Sequence, residues 1–281
     1  MSERKLNGLF AKMSGAFKRT VTHQQTVVSA EIGKTRLQVV DIVASYAKND
    51  DTISRSRLNA LLRDLEGVEK DIRSATNRSL LTVMKDSADQ AFSGVSGALK
   101  AVFGASVAAF SSAKVTASSF LSPLTGKSPT GKNIAAYLAE RTGTDGLRLS
   151  DRVWNISADH RDAIGRILRR GILRGDSIAR MTRDITEVYG VEDWKARRLV
   201  VTESNAAFRT AIGYEAERLD FVRGLRLQPG TKHSRACVTL AAEDRHGMGA
   251  GIFLPSDTDI YNPHPNCTSV LTFVLIDEEV R

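Results

Sequence analysis

Residues 197–217 read RRLVVTESNAAFRTAIGYEAE, and the way this stretch folds decides what the rest of the chain can be. Trp194, Val201, Phe208, Ile212 and Leu219 recur along one side at helical spacing, whereas a half-buried strand would alternate apolar and polar residues. Arg198, Thr202, Asn205 and Arg209 occupy another side at steps of four, three and four, with Glu203 beside them. The spacing predicts a long helix with an apolar face for a core. Its second, polar face is richer in hydrogen-bonding groups than solvation requires. That polar row either faces the loops that follow it or lies open to water.

Working outward toward the N-terminus, residues 147–190 give two further helices. One starts near Trp154, runs through Ile164, Ile167, Leu168 and Ile172, and ends at Gly175. The other is capped by Asp176, carries Ile178, Met181, Ile185 and Val188, and stops at Gly190. In the opposite direction the texture changes after Asp220. FVRGLRLQPG (221–230), GIFLP (251–255) and SVLTFVLI (269–276) read as three short strands separated by loops. Residues 147–281 therefore form one region, with helices over 156–220 and an α+β lobe over 221–281.

The first 122 residues read as helical throughout. Leu6, Phe10, Met13, Phe17 and Val21 fall at three- and four-residue steps, with Lys5, Lys12, Lys18 and Arg19 between them, which makes a basic amphipathic helix. It either packs within the protein's own bundle or serves as an arm for a membrane surface, DNA or a partner's groove. As an arm, it should be removable (residues 1–25) without unfolding the remainder. A second helical pattern runs through Ile53, Leu58, Leu61, Leu62, Leu65, Val68 and Ile72, and Leu80–Phe110 is rich in Ala, Ser and Gly. Residues 123–146, with Pro123 and Pro129, read as a linker. Within it GKSPTGKN (126–133) imitates a phosphate-binding loop but has Asn133 where Ser or Thr would hold magnesium, and lacks a preceding buried strand. The fold class expected is mainly α with a small C-terminal α+β lobe: long N-terminal helices, a helical body, then a few short strands.

Composition is that of an ordinary globular chain: 281 residues, 42% hydrophobic and 26% charged, with a net charge of +8. No apolar run reaches the roughly 20 residues of a membrane span. The opening interleaves charge with apolar residues, so synthesis in a reducing cytosol is the expectation. With two cysteines there is no disulfide framework to read. Residues 1–150 hold 21 Lys+Arg against 13 Asp+Glu, and residues 151–281 hold 19 of each. A polyanionic partner would thus be met by the N-terminal half.

The chemistry-bearing residues lie near the C-terminus, around HPNC (264–267). Cys237, His264 and Cys267 have the side chains of a zinc site, with His233, His246 or a water as the fourth ligand. Cys267 with His264 as base would be a nucleophilic pair, but the two flank a proline and have no orienting acid. In the third reading, the one preferred, Pro263 and Pro265 stiffen a turn, Asn266 bonds within it, and His264 bonds Glu203 or Asn205 on the long helix. His233, His246 and His264 with Glu243 and Asp244 would suit a metal-dependent nuclease or hydrolase.

The order of these features resembles the phage head morphogenesis family, the minor head proteins related to protein F of phage Mu. The resemblance runs from Leu147 to Val274. It is carried by LSDRVW, GILRGDSIARMTRDI, VTESNAAFRTAIGYEAE, the segment holding His233, Arg235 and Cys237, and His264-Pro265-Asn266-Cys267. The chain departs from the family pattern at Val201, where Arg is usual, and at Leu240 and Ser269, where second cysteines are usual. The resemblance implies a non-catalytic protein of the virion, inside the head near the portal. Its partners would be the portal protein, the major capsid or scaffolding protein and viral DNA, with no small-molecule substrate, and it would act in head assembly or DNA delivery. Thr202, Glu203, Asn205, Arg209 and Asn266 are the motif residues it marks as structural. The rival classes are the metal-dependent nuclease and a nucleic-acid-binding module.

Overall fold

The computed structural model describes residues 2–104, 130–143, 145–230 and 234–276. It is 73% helical with a small antiparallel sheet near the C-terminus, as the spacing of apolar residues requires. The helices are α1 (Ser2–Ser45), α2 (Leu58–Phe103), α3 (Gly131–Glu140), α4 (Leu149–Arg174), α5 (Ile178–Glu217) and α6 (Arg235–Ala242). The strands are β1 (Val222–Gln228), β2 (Ile252–Phe253) and β3 (Val270–Leu275), and single 3-10 turns span Arg55–Arg57 and Thr258–Tyr261. No helix among the described residues is long and apolar enough to cross a membrane.

The chain forms two compact units that interleave in sequence: residues 1–23, 81–146 and 199–281, and residues 24–80 and 147–198. This cuts across the sequential division at 122 and 147. The reason is helix length. α1 and α2 each run for more than 40 residues, so each contributes one end to each unit. The basic excess is shared for the same reason: 21 Lys+Arg stand against 16 Asp+Glu in the second unit and 19 against 16 in the first.

In the first unit the apolar stripe of α1 is core, not an arm. Leu6, Phe10, Phe17 and Val21 are buried. Phe10 meets Phe273 of β3 at 4.8 Å between ring centroids, and Phe17 stacks on Phe208 of α5 at 3.9 Å. Lys5 donates to the Ala101 carbonyl, while Lys12, Lys18 and Arg19 are exposed. Removing residues 1–25 would therefore strip the sheet and α5 of their cover. The sheet has the order β2-β1-β3, with Leu225 opposite both Phe253 and Phe273.

The expected linker contains α3, whose N-cap Thr130 accepts from the Asn133 amide. The helix buries Ile134, Ala135 and Leu138. At its start the Gly131 amide donates to Asp89 at 2.7 Å, so a carboxylate sits where a phosphate loop would need its anion. The remainder of the GKSPTGKN resemblance lies outside the described residues.

In the second unit, α4 ends as the sequence indicates: Gly175 is left-handed (φ 75°) and the Asp176 amide returns to the Gly171 carbonyl. The cap of α5 is Ser177, whose hydroxyl accepts from the Arg180 amide, and not Asp176, which pairs with Arg180. Gly190 stops nothing, because α5 runs straight through it and is 40 residues long. An interior glycine costs only about 1 kcal/mol, and the buried residues on either side, Ile185, Tyr189 and Ala196, hold the helix across it.

Candidate metal centre

Two of the four residues in the polar row on α5, Thr202 and Arg209, face the later loops, while Arg198 is exposed. Thr202 and Arg209 are buried, and each is used to hold one segment of the C-terminal chain. The Thr202 hydroxyl accepts from the Asn266 amide at 2.9 Å. Asn266 has φ 62°, a left-handed conformation that Asn tolerates better than most residues. This turns the chain so that Cys267 points inward. Asn205 bonds the Val201 carbonyl of its own helix instead.

Arg209 is 1% exposed, and its guanidinium is surrounded by acceptors from the C-terminal loop. Nε donates to the Tyr261 carbonyl at 2.9 Å, and Nη1 to the Ser269 carbonyl at 2.9 Å and to Cys267 Sγ at 3.2 Å. A buried guanidinium is costly unless every face is hydrogen-bonded, so Arg209 fixes the path of residues 261–269. Gly213, one turn further along α5, admits the Tyr261 ring: a Cβ there would collide with it. Tyr261 in turn donates its hydroxyl to the Pro255 carbonyl at 2.6 Å.

Cys237 comes from α6, a helix in a segment whose patterning predicts a loop. Ser234 caps it by accepting from the Cys237 amide. Cys237 Sγ lies 2.9 Å from His264 Nε2 and 3.5 Å from Cys267 Sγ, and it accepts from the Ser269 hydroxyl at 3.1 Å. His264 Nδ1 is 2.9 Å from the Pro265 carbonyl. A carbonyl can only accept, so Nδ1 donates to it, and in the neutral imidazole the Nε2 lone pair faces Cys237 Sγ. This is the tautomer a metal-binding imidazole needs, with its orienting hydrogen bond already made. It also corrects the expected pairing: His264 bonds Cys237, and not Glu203 or Asn205.

Burial pushes the Cys267 thiol up, but the Arg209 guanidinium, the Ser269 hydrogen bonds and the Cys237 thiol outweigh burial and hold it below its ordinary value. Cys237 and Cys267 are both free and both buried, and His264 is half-buried. All three ligand atoms lie within 4.8 Å of one another, a group that could hold a metal ion. A tetrahedral ion bound at about 2.3 Å from sulfur and about 2.0 Å from nitrogen would space such atoms by roughly 3.5–3.8 Å. The 3.5 Å sulfur pair already has that spacing, and the His264 contact needs to open by about half an ångström. His233 lies outside the described residues. Ser269 brings a hydroxyl oxygen to the cluster, 3.1 Å from Cys237 Sγ.

Among the described residues of the nuclease alternative, His246, Glu243 and Asp244 have partners other than His264. His246 Nε2 bonds Asp257 at 2.7 Å, Asp244 accepts from the Gly249 amide, and Glu243 pairs with Arg245. These acids pin the loop between α6 and the second 3-10 turn. Glu203 is fully buried and pairs at 3.1 Å with Arg141. Arg141 lies just beyond α3, and no reading of 123–146 as a linker could have supplied it. The signal for α3 was Thr130 three residues before Asn133, followed by Ile134, Ala135 and Leu138 at helical spacing. No protein-family model, curated protein or solved structure matches this chain.

Proposed function

We propose that the protein is a structural minor head protein of a tailed bacteriophage, acting in head assembly or DNA delivery near the portal. The observation that carries this reading is the convergence on Arg209. Three of the stretches that bear the resemblance to the head morphogenesis family, those holding Thr202 and Arg209, Cys237, and His264 to Cys267, meet in one buried cluster. In it the side chains with reactive chemistry are engaged in fixing loop paths, which suits a docking lobe that must keep its shape. Portal protein and the major capsid or scaffolding protein are the proposed partners, with viral DNA reached through exposed lysines such as Lys12 and Lys18. Mass spectrometry of washed particles tests the reading. It expects the protein at low copy in virions and co-purification with portal when the two are co-expressed, and presence in lysate alone would defeat it.

We further propose that Cys237, His264 and Cys267 hold a zinc ion that ties α6 to the turn before β3. The proton on Nδ1 of His264 and the near-tetrahedral spacing of the sulfurs support it. Elemental analysis of protein purified without a histidine tag should find zinc near one per chain. Chelation should lower the melting temperature.

A further inference from the structure

We propose that Cys237 and Cys267 are also a modification site: in the metal-free protein, hydrogen peroxide converts them to an intramolecular disulfide. The two sulfurs stand 3.5 Å apart, one from α6 and the other from the turn before β3. A disulfide requires about 2.05 Å, so the sulfurs must approach by roughly 1.5 Å, a displacement that small side-chain rotations supply. They are the chain's two cysteines, so no other intramolecular pairing exists. Each sulfur accepts a hydrogen bond from a different donor, Ser269 Oγ for Cys237 and Arg209 Nη1 for Cys267. These donors orient the sulfurs toward each other's neighbourhood without filling the space between them.

The chemistry balances with peroxide as the two-electron oxidant. One sulfur, Cys267 Sγ, attacks a peroxide oxygen, the O–O bond breaks, and water leaves a sulfenic acid behind. Cys237 Sγ then attacks that sulfur. The S–S bond forms, the S–O bond breaks, and the departing hydroxide combines with the Cys237 proton as a second water. His264 Nε2, 2.9 Å from Cys237 Sγ, is the nearest group that can carry that proton. Two thiols and one peroxide thus become one disulfide and two waters. Both sulfurs are buried, but Pro265 and Asn266, immediately before Cys267, are exposed. A local opening of that turn admits an oxidant little larger than water.

The consequence is a choice between two ties across the same gap. A bound metal consumes both sulfurs and protects them, and its loss leaves a pair that oxidation can lock. Only the timing of oxidation rests on the head-protein reading: such a protein is assembled in a reducing cytosol and meets oxidants once particles are released.

The test uses full-length protein, stripped of metal with a chelator and then exposed to equimolar hydrogen peroxide. The expected result is a monomer whose intact mass falls by two hydrogens and whose two thiols no longer react with a maleimide. Its tryptic map should show the Cys237 and Cys267 peptides joined, and its melting temperature should rise by about 5 °C or more. Thiols that stay reactive, oxygen added without a cross-link, or disulfide-linked dimers would each overturn the proposal. A parallel sample given equimolar zinc before peroxide separates the two readings. Cross-linking as fast with zinc as without would leave the disulfide standing and remove the zinc site. No cross-link in the stripped sample would remove the disulfide and leave the zinc reading to its own measurement.

Discussion

Two arginines in the same unit make opposite use of the same side chain. Arg209 is 1% exposed and serves three separate points of the C-terminal loop, the Tyr261 and Ser269 carbonyls and the Cys267 sulfur. Arg245 has a side chain 30% exposed and pairs with Glu243, Asp257 and Asp259. By number of ion pairs alone, Arg245 would rank as the stronger. Physically Arg209 matters more, because water cannot replace what it provides, whereas Glu243 and Asp259 stay solvated if Arg245 is removed and Asp257 keeps His246 as a partner. A buried charge that touches carbonyls specifies a chain path, and an exposed one surrounded by carboxylates mainly adds screening-sensitive attraction.

The largest test of that contrast is Arg209→Met, which keeps the volume and deletes the donors. It leaves the Tyr261 and Ser269 carbonyls without their donor, and a loss of about 3–5 kcal/mol in urea unfolding is expected. The Cys267 thiol should also return upward toward its ordinary range, readable as slower alkylation of unfolding-resistant protein. Stability within about 1 kcal/mol of the wild type would break the comparison.

Glu203→Ala comes next. It strands Arg141, whose side chain is 17% exposed and so partly reaches water, and a loss of about 2–3 kcal/mol is expected. The double change with Arg141→Ala should cost less than the two single changes added together, a double-mutant cycle that reports the pair directly.

Glu215 sharpens the comparison from the acidic side. It is 3% exposed and burial lifts its carboxyl to about 7, against a weaker opposing pull from Arg218. A carboxyl with a raised folded value binds more protons folded than unfolded between its ordinary 4.5 and about 7. Stability contributed by this group is therefore fully present below about 4.5 and falls as pH rises through 7, by about 3 kcal/mol. Glu215→Gln should flatten that slope in a pH series of melting curves. An unchanged slope would mean that another group carries it.

The smallest effect belongs to Arg245→Ala, less than about 1 kcal/mol and shrinking further in salt. A loss as large as that of Arg209→Met would erase the distinction between the two environments.

Much of this is legible without any tertiary contact, and the parts that are not share a cause. The helix through Val201, Phe208 and Ile212, the strands at 222–228 and 270–275, and the Gly175 terminus follow from local periodicity and glycine's left-handed freedom. Gly190 misleads because its cost as a helix breaker is smaller than what flanking burial supplies. α3 is hidden because Pro and Gly nearby announce a linker louder than ten residues of amphipathic pattern announce a helix. Of the site residues, Thr202, Arg209, Cys237, His264 and Cys267 can be named from the sequence, but Asn205 bonds its own helix. Arg141 cannot be recognised as a member, because it stands in a segment that reads as a linker and its partner lies 62 residues away.

By itself the sequence determined the helical class, the small three-stranded sheet and the residue types able to bind metal, because these depend on period, propensity and donor chemistry over a few neighbouring positions. Tertiary structure alone decided which groups meet. Arg209 finds Cys267 across 58 residues, Asn266 finds Thr202 across 64, and Glu203 finds Arg141 across 62. It also decided that α1 belongs to the core, since Phe10 needs Phe273 more than 260 residues away. Such pairings are selected by the burial of whole faces and by the cost of leaving a polar group unpaired inside. Neither quantity has a value until the chain has closed on itself.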